Sequence, residues 1–386
     1  MRQRLAELLV CPLERTPLEL VVWEGGRRPL AAAERARAEA MRIPAESLET
    51  DVRSGVLVNR ASGIAYPIYR GVPRMLTFAT GVAAEFEREL GERLRRELPG
   101  VRLPAETPMP GEEDVLRTFS REWLDYEWDG RSYWNMTPEH TFRCMDFMLD
   151  LDARPVRHGR VLEVGIGIGG IADYVARSQE CELVGLDLSY AVDAAYRHFG
   201  ANPFFHVVQA SAFAPPLPEA SFDLVYSHGV IHHTFSTRTA LERLSRLPRR
   251  GGRLYVWVYS DEDERRSPVR RGMMALERVL RPLCWRLPEQ LQTAMLLPLV
   301  PLYLANQNLL GGSRQPGAVR YGLNEALHAA RDRFTPRYVH RHSNDEVGGW
   351  FRALGYEDVR YVTERQLPHF LPPSFMHCTG VDGIRR

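Results

Sequence analysis

The string VLEVGIGIGG, residues 161–170, runs an apolar strand into three alternating glycines, Gly165, Gly167 and Gly169, with Glu163 just ahead of them. Glycine lets a backbone turn tightly and approach a ligand with no Cβ in the way. A helical stretch, IADYVARS, follows, and its first turn offers unpaired N–H groups and a partial positive charge. The spacing E-x-G-x-G-x-G differs from the G-x-G-x-x-G of a dinucleotide turn. The next apolar run, ELVGLDLS, ends in Asp187 and Leu188. A carboxylate at that strand end can accept from both hydroxyls of a ribose. A third string, YSHGVIHH (226–233), holds Ser227, His228, His232 and His233. An imidazole with its ordinary pKa of about 6.5 suits proton transfer near neutrality. The same histidines could instead cap the following helix or pack beneath a cover. Adjacent His232 and His233 point to different faces of a helix, and no cysteine or carboxylate cluster joins them, so no metal site is expected.

These residues need a scaffold, and the sequence supplies a rhythm for one. RVLEVGI (160–166), ELVGLDL (182–188), FFHVVQA (204–210), DLVYSHG (223–229) and GRLYVWVY (252–259) read as buried parallel strands separated by helical stretches. That alternation predicts an α/β fold with a doubly wound, mostly parallel sheet, its ligands at the C-terminal strand ends. Asp223, at the start of the fourth run, is read as a structural carboxylate. Residues 262–335 interrupt the rhythm with a mostly helical, apolar and arginine-bearing insertion, read as a lid. Residues 336–386 resume it, with Ser343 as a helix N-cap, Glu346 as its capping-box partner and EDVRYV as a last strand. His340, Arg341 and His342 precede that helix and are read as a solvated loop rather than substrate contacts.

Upstream, residues 1–78 look like a separate small α+β unit, with a helix within 29–43 and strands at 55–60 and 64–76. Residues 79–114 read as a helix followed by a proline-punctuated linker. Residues 115–261 form the first part of the core, and their opening stretch is rich in aromatics, including Tyr126, Tyr133 and Trp134.

All fifty basic residues are arginine, so no lysine can act as a general base or form a Schiff base. The net charge of +1 argues against an electrostatic device for gripping nucleic acid. The five scattered cysteines suggest reduced thiols and a cytoplasmic protein. The most apolar stretch, 291–304, is shorter than the roughly 20 residues a membrane span needs. No signal peptide is read at the N-terminus.

Taken as a set, the glycine turn, Asp187, VVQASAF, FDLVYSHGVIHH and LPRRGGRLYVWVY resemble the class I S-adenosylmethionine-dependent methyltransferases, over about residues 115–260 and again over 330–365. The resemblance implies a seven-stranded Rossmann-like sheet and S-adenosylmethionine as cofactor. It implies that Glu163, Gly165, Gly167 and Gly169 pass the methionine part and that Asp187 holds the ribose, with Leu188 also among the cofactor-binding residues. Ser211, Ala212 and Phe213 would flank the adenine, with Ser227 nearby and Tyr133 and Trp134 covering the cofactor. Many relatives have an aspartate where this chain has Ser211. By the same likeness His232 is the first choice of general base, with His228 and His233 as the other candidates.

LLVCPLERTPLEL and IAYPIYRGVPRML resemble a small zinc-ribbon-like domain that serves as an activator of tRNA- and protein-modifying methyltransferases. Zinc-binding members carry C-P-x-C and later cysteines. Here only Cys11 remains, and Glu14 takes the second position, so a metal-free remnant is expected that packs against the catalytic domain or helps shape its substrate entry. The whole reading is a transferase that moves a methyl group by in-line displacement to oxygen or nitrogen of a small molecule or peptide, in secondary metabolism. The alternatives are a tRNA- or protein-modifying methyltransferase and a non-catalytic cofactor-binding partner subunit. The oligomeric state is left open.

Overall fold

A computed structural model describes residues 1–124, 136–261, 268–310, 317–371 and 378–386. Tyr126, Tyr133 and Trp134 lie outside the described residues.

The N-terminal unit is an antiparallel sheet in the order β1-β2-β3-β4, formed by Glu19–Arg27, Thr50–Asn59, Ile64–Tyr69 and Val72–Pro73. Three helices accompany it: α1 (Gln3–Leu8), α2 (Ala32–Ala40) and α3 (Ala45–Glu49). The second and third strands fall on the expected runs, whereas β1 is unannounced in the sequence because Gly25, Gly26 and its mostly exposed residues hide its period. Helix α4 (Gly81–Glu97) is capped by Thr80, whose hydroxyl accepts from Ala83 N–H, and packs Phe86 against Trp23.

The larger sheet has seven strands in the order β10-β11-β9-β8-β5-β6-β7. Strands β5 (Arg160–Val164), β6 (Glu182–Asp187), β7 (Phe205–Gln209), β8 (Phe222–His228) and β9 (Pro248–Val258) run parallel. These are the five apolar runs, and their near-continuous burial is what a sheet covered on both faces requires. Helices α7 (Gly170–Ser178), α8 (Ala191–Phe199) and α9 (Thr237–Leu244) connect them.

EDVRYV does form a strand, β10 (Tyr356–Tyr361), but it is neither the last nor next to β9. Strand β11 (Thr379–Arg385) inserts antiparallel between the two. Its sequence TGVDGIR lacks an apolar period because its neighbours demand absence of bulk. A Cβ at Gly383 would lie 2.9 Å from Phe351, and one at Gly380 would lie 2.7 Å from Val362.

The two sheets are tied together. Arg74, just past β4, pairs in parallel with Gln209 at the end of β7, and Met75 N–H donates to the Gln209 carbonyl at 2.8 Å. The Arg74 guanidinium, 4% exposed, also bonds the Asp193 carboxylate on α8. The N-terminal unit thus covers an otherwise open sheet edge.

Two further helices, α5 (Glu112–Leu124) and α6 (Pro138–Leu149), precede β5. Between β9 and β10 lie α10 (Pro268–Cys284), α11 (Glu289–Leu296), α12 (Val300–Ala305), α13 (Leu323–Phe334) and α14 (Asn344–Ala353). Ser343 caps α14 by accepting from Glu346 N–H at 3.1 Å, but the Glu346 carboxylate turns to His342 Nδ1 at 3.0 Å, so the capping box is half formed. Among the described residues no helix is long and apolar enough to cross a membrane.

Candidate cofactor and acceptor cavity

The C-terminal ends of β5, β6 and β8 open into a cavity of about 1180 Å³. This exceeds the roughly 300–1,000 Å³ of common small-molecule sites, so it has room for more than one ligand. Its floor comes from the sheet, and its roof from α5, α10, α12 and α13.

The glycine turn shapes the floor. Gly165 sits at φ +88°, and a Cβ there would lie 2.2 Å from Val230. Gly167 takes φ +51° with its α-carbon face against the Trp123 ring. Gly165 lines the cavity, whereas Gly167 and Gly169 do not. Their part is to hold the turn. Gly167 N–H donates to Asp187 Oδ2 at 2.9 Å, and Gly169, at φ +83°, starts α7.

Glu163 and Asp187 both reach the cavity wall. Burial pushes the Glu163 carboxyl up to about 8, against the opposing effect of the Tyr226 hydroxyl that donates to it at 2.6 Å. Burial also raises Asp187, opposed by N–H and O–H donors from Ser189 and by Gly167 N–H. These are desolvated carboxyls aimed into a cavity, an arrangement that fits polar or cationic groups of a ligand. Leu188, Ser211, Ala212 and Phe213 line it as well. Ser227 does not: its hydroxyl donates to the Val164 carbonyl at 3.1 Å inside the sheet.

A carboxylate that the sequence reading passed over stands beside Ser211. Glu112, the first residue of α5 and 5% exposed, accepts from the Ser211 hydroxyl through Oε1 and from Met109 N–H at 2.7 Å through Oε2. Burial raises its pKa. By sequence it falls in the linker of residues 79–114. The signal was present in PGEED, a turn followed by acidic residues of a first helical turn.

The three histidines take different places. His228 lines the cavity with its ring stacked on Trp257, 4.8 Å between centroids, and burial lowers it to about 4. His233 lines it too, lowered to about 4 by burial. Its Nδ1 lies 3.0 Å from the Tyr338 carbonyl, which can only accept, so Nδ1 carries the proton and Nε2 keeps its lone pair. His232 is behind the wall, fully buried among His233, Tyr259 and Trp257, and among the described residues neither ring nitrogen has a hydrogen-bond partner. The three-residue 3₁₀ turn Ile231–His233 sends its consecutive side chains to different sides, so the first-choice base is the one removed from the cavity.

Arg341, read as part of a solvated loop, instead enters the cavity beside Asp332, Arg333, Glu277 and Arg281. His340 and His342 do not; they bond the Thr234 carbonyl and the Thr237 hydroxyl, both at 2.9 Å. Asp223 accepts from Arg160 N–H at 2.7 Å and from the Arg249 side chain at 2.5 Å, the structural part read from the sequence.

Residues 162–256 match the family described as methyltransferase domain, and residues 2–71 match the family described as Trm112p-like protein. The chain carries a methyltransferase domain. Among curated proteins it is similar to malonyl-[acyl-carrier protein] O-methyltransferase of Enterobacter lignolyticus, 42% identical over 27% of this chain and 40% of that one. It is also similar to phosphoethanolamine N-methyltransferase 3 of Arabidopsis thaliana, 29% identical over 32% of this chain and 25% of that one. The chain therefore spans less than half the length of either relative. A solved complex of the Haloferax volcanii Trm112 methyltransferase activator with a methyltransferase aligns at 14% identity and a TM-score of 0.40, covering 69% of this chain and 96% of that one.

In the Trm112p-like part, Cys11 is fully buried with its thiol 3.4 Å from the Tyr66 hydroxyl. Glu14 accepts from the Asn59 amide at 2.5 Å. A tyrosine hydroxyl thus meets the remaining cysteine and an asparagine amide meets Glu14, where a zinc site would need thiolates or imidazoles. Among the described residues no group of three or more histidine, cysteine or acidic side chains could hold a metal ion.

Proposed function

We propose that this chain is an S-adenosylmethionine-dependent methyltransferase acting on a small molecule or peptide. The observation that carries the reading is the joining of Glu163, Gly165, Asp187 and the Glu112–Ser211 pair on one cavity wall, which continues beneath the roof. S-adenosylmethionine supplies a methyl group on a sulfonium that is already a good leaving group. Asp187 takes the ribose hydroxyls. Glu163, held largely protonated by burial, ionises on receiving an ammonium group. Glu112 and Ser211 together stand in for the aspartate of many relatives and accept from the adenine amino group. The arrangement offers positioning, which can supply about 7–11 kcal/mol of a barrier in favourable cases.

His233 is the proton acceptor for an acceptor group that arrives protonated. Its tautomer leaves Nε2 free, and its lowered pKa keeps it unprotonated at neutral pH. His228 shapes the wall beside Trp257, and His232 supports His233 from behind. Gly167, Gly169 and Ser227 hold the floor without touching the ligand. Secondary metabolism is the setting proposed, since a roofed cavity suits an individual substrate.

The Trm112p-like match favours one second reading, modification of tRNA or protein. The roof opposes it, because a macromolecule would have to feed a segment beneath α10 to α13. Incubation with methyl-labelled S-adenosylmethionine, total tRNA and a panel of small acceptors separates the two. Label in the small-molecule fraction supports the proposal, and label confined to tRNA supports the alternative.

A further inference from the structure

The roof end of the cavity holds charges that the proposed cofactor contacts do not use. Glu277, on α10, has a side chain only 4% exposed. It accepts from three guanidiniums: Arg281, Arg333 Nε at 2.9 Å, and Arg341 Nη2 at 3.0 and 3.3 Å. The other carboxylate on this wall is Asp332, which burial raises to about 6 and to which the Tyr259 hydroxyl donates at 3.4 Å. Glu122 packs near Asp332 but is off the wall, and burial raises its pKa. Among the described residues of this wall, three guanidiniums therefore face two carboxylates, and a net positive charge remains on partly buried side chains.

Arg341 is the member with spare capacity. It lines the cavity, is 20% exposed, and stands 5.3 Å from the Tyr259 ring centroid. Only its Nη2 is engaged by Glu277; among the described residues nothing accepts from its Nε or Nη1. A lock that merely fastened the roof would be complete with one guanidinium per carboxylate. Surplus charge on partly buried side chains favours the arrival of an anionic partner. A planar guanidinium edge with two free N–H groups matches a carboxylate, which accepts in pairs. One surplus charge fits a monoanion better than a phosphate dianion.

We propose that Arg341, backed by Arg333, seats a carboxylate of the methyl acceptor at the roof end of the cavity. This rests on the methyltransferase reading for the word acceptor, while the anion seat stands on its own geometry.

The test is isothermal titration of the full chain, with and without saturating S-adenosylhomocysteine, using matched acid and amide probes. Suitable pairs are hexanoate and hexanamide, phenylacetate and phenylacetamide, and 4-hydroxybenzoate and 4-hydroxybenzamide. The expected result is at least one acid binding tenfold or more tightly than its amide. Arg341→Gln should erase that preference, and Arg341→Lys should keep part of it. S-adenosylhomocysteine affinity should be unchanged in both variants, which shows that the cavity is intact. The proposal is overturned if no acid outbinds its amide, if the preference survives Arg341→Gln, or if inorganic phosphate binds more tightly than every acid. Failure of S-adenosylhomocysteine to bind would instead sink the methyltransferase reading, and the acid and amide comparison without it would still decide the anion seat.

Discussion

Glu112 reaches the cavity from the start of a helix, far in sequence from the glycine turn whose ligand it would touch. Ser211 alone is a neutral, single hydroxyl; bonded to Glu112 it becomes part of an acidic acceptor pair. If that pair reads an adenine amino group, the wild type should prefer S-adenosylhomocysteine to its inosyl analogue. Glu112→Gln should lose most of that preference, by about 1.5–3 kcal/mol, the range for hydrogen bonds to charged groups. Titration with both ligands checks this, and an undiminished preference in the variant would remove Glu112 from the site. Asp187, Glu163 and the residues after β7 were legible because each sits at or near the C-terminal end of a strand, at fixed spacing. Glu112, Glu277, Asp332 and Arg333 were not, because helices far apart in the chain bring them to the cavity and no local spacing marks them. Arg341 was visible as a residue, but its side-chain direction depends on α10 packing over it.

At the scale of elements, the turn after β8 gathers three buried imidazoles. His228 and His233 are lowered to about 4 from 6.5, and burial lowers His232 as well. The unfolded chain takes up protons near pH 6.5 while the folded chain resists until about 4, so stability is lost as pH falls through that window. The melting temperature should drop from pH 6.5 toward 4. His228→Phe, which keeps the ring against Trp257, should flatten the slope; an equal slope in the variant would show that this burial does not matter. Strand β11 gives a second prediction. Gly383→Ala would push a Cβ to 2.9 Å from Phe351 and should cost about 1–3 kcal/mol in urea denaturation. A neutral substitution would mean that α14 and β11 pack more loosely than described. The five parallel strands announced themselves by buried apolar runs, whereas β11 is defined by what its neighbours exclude, which no apolar period can record.

At the scale of the whole molecule, two sheets meet at the β4–β7 edge, and Arg74 is the clasp. It bonds both Gln209 and Asp193 from a site 4% exposed. Arg74→Ala should lower unfolding free energy by about 2 kcal/mol, read from denaturant melts, since it removes charge-assisted hydrogen bonds. An unchanged melt would mean that the N-terminal unit adds little to the core it covers. The likeness of residues 2–71 to a small zinc-ribbon-like family was readable from LLVCPLE and its partner strands, but the edge it covers was not. Edge pairing depends on two units separated by more than a hundred residues.

The glycine turn, the two strand-end carboxyls and Glu112 all converge on one claim, that the floor of the cavity binds S-adenosylmethionine. Isothermal titration of the full chain and of Asp187→Ala with S-adenosylhomocysteine tests it most directly. The account predicts one site per chain, with affinity at least tenfold weaker in the variant, because contacts to a buried charged acceptor are lost. No binding to the wild type, or equal binding to both proteins, would contradict it.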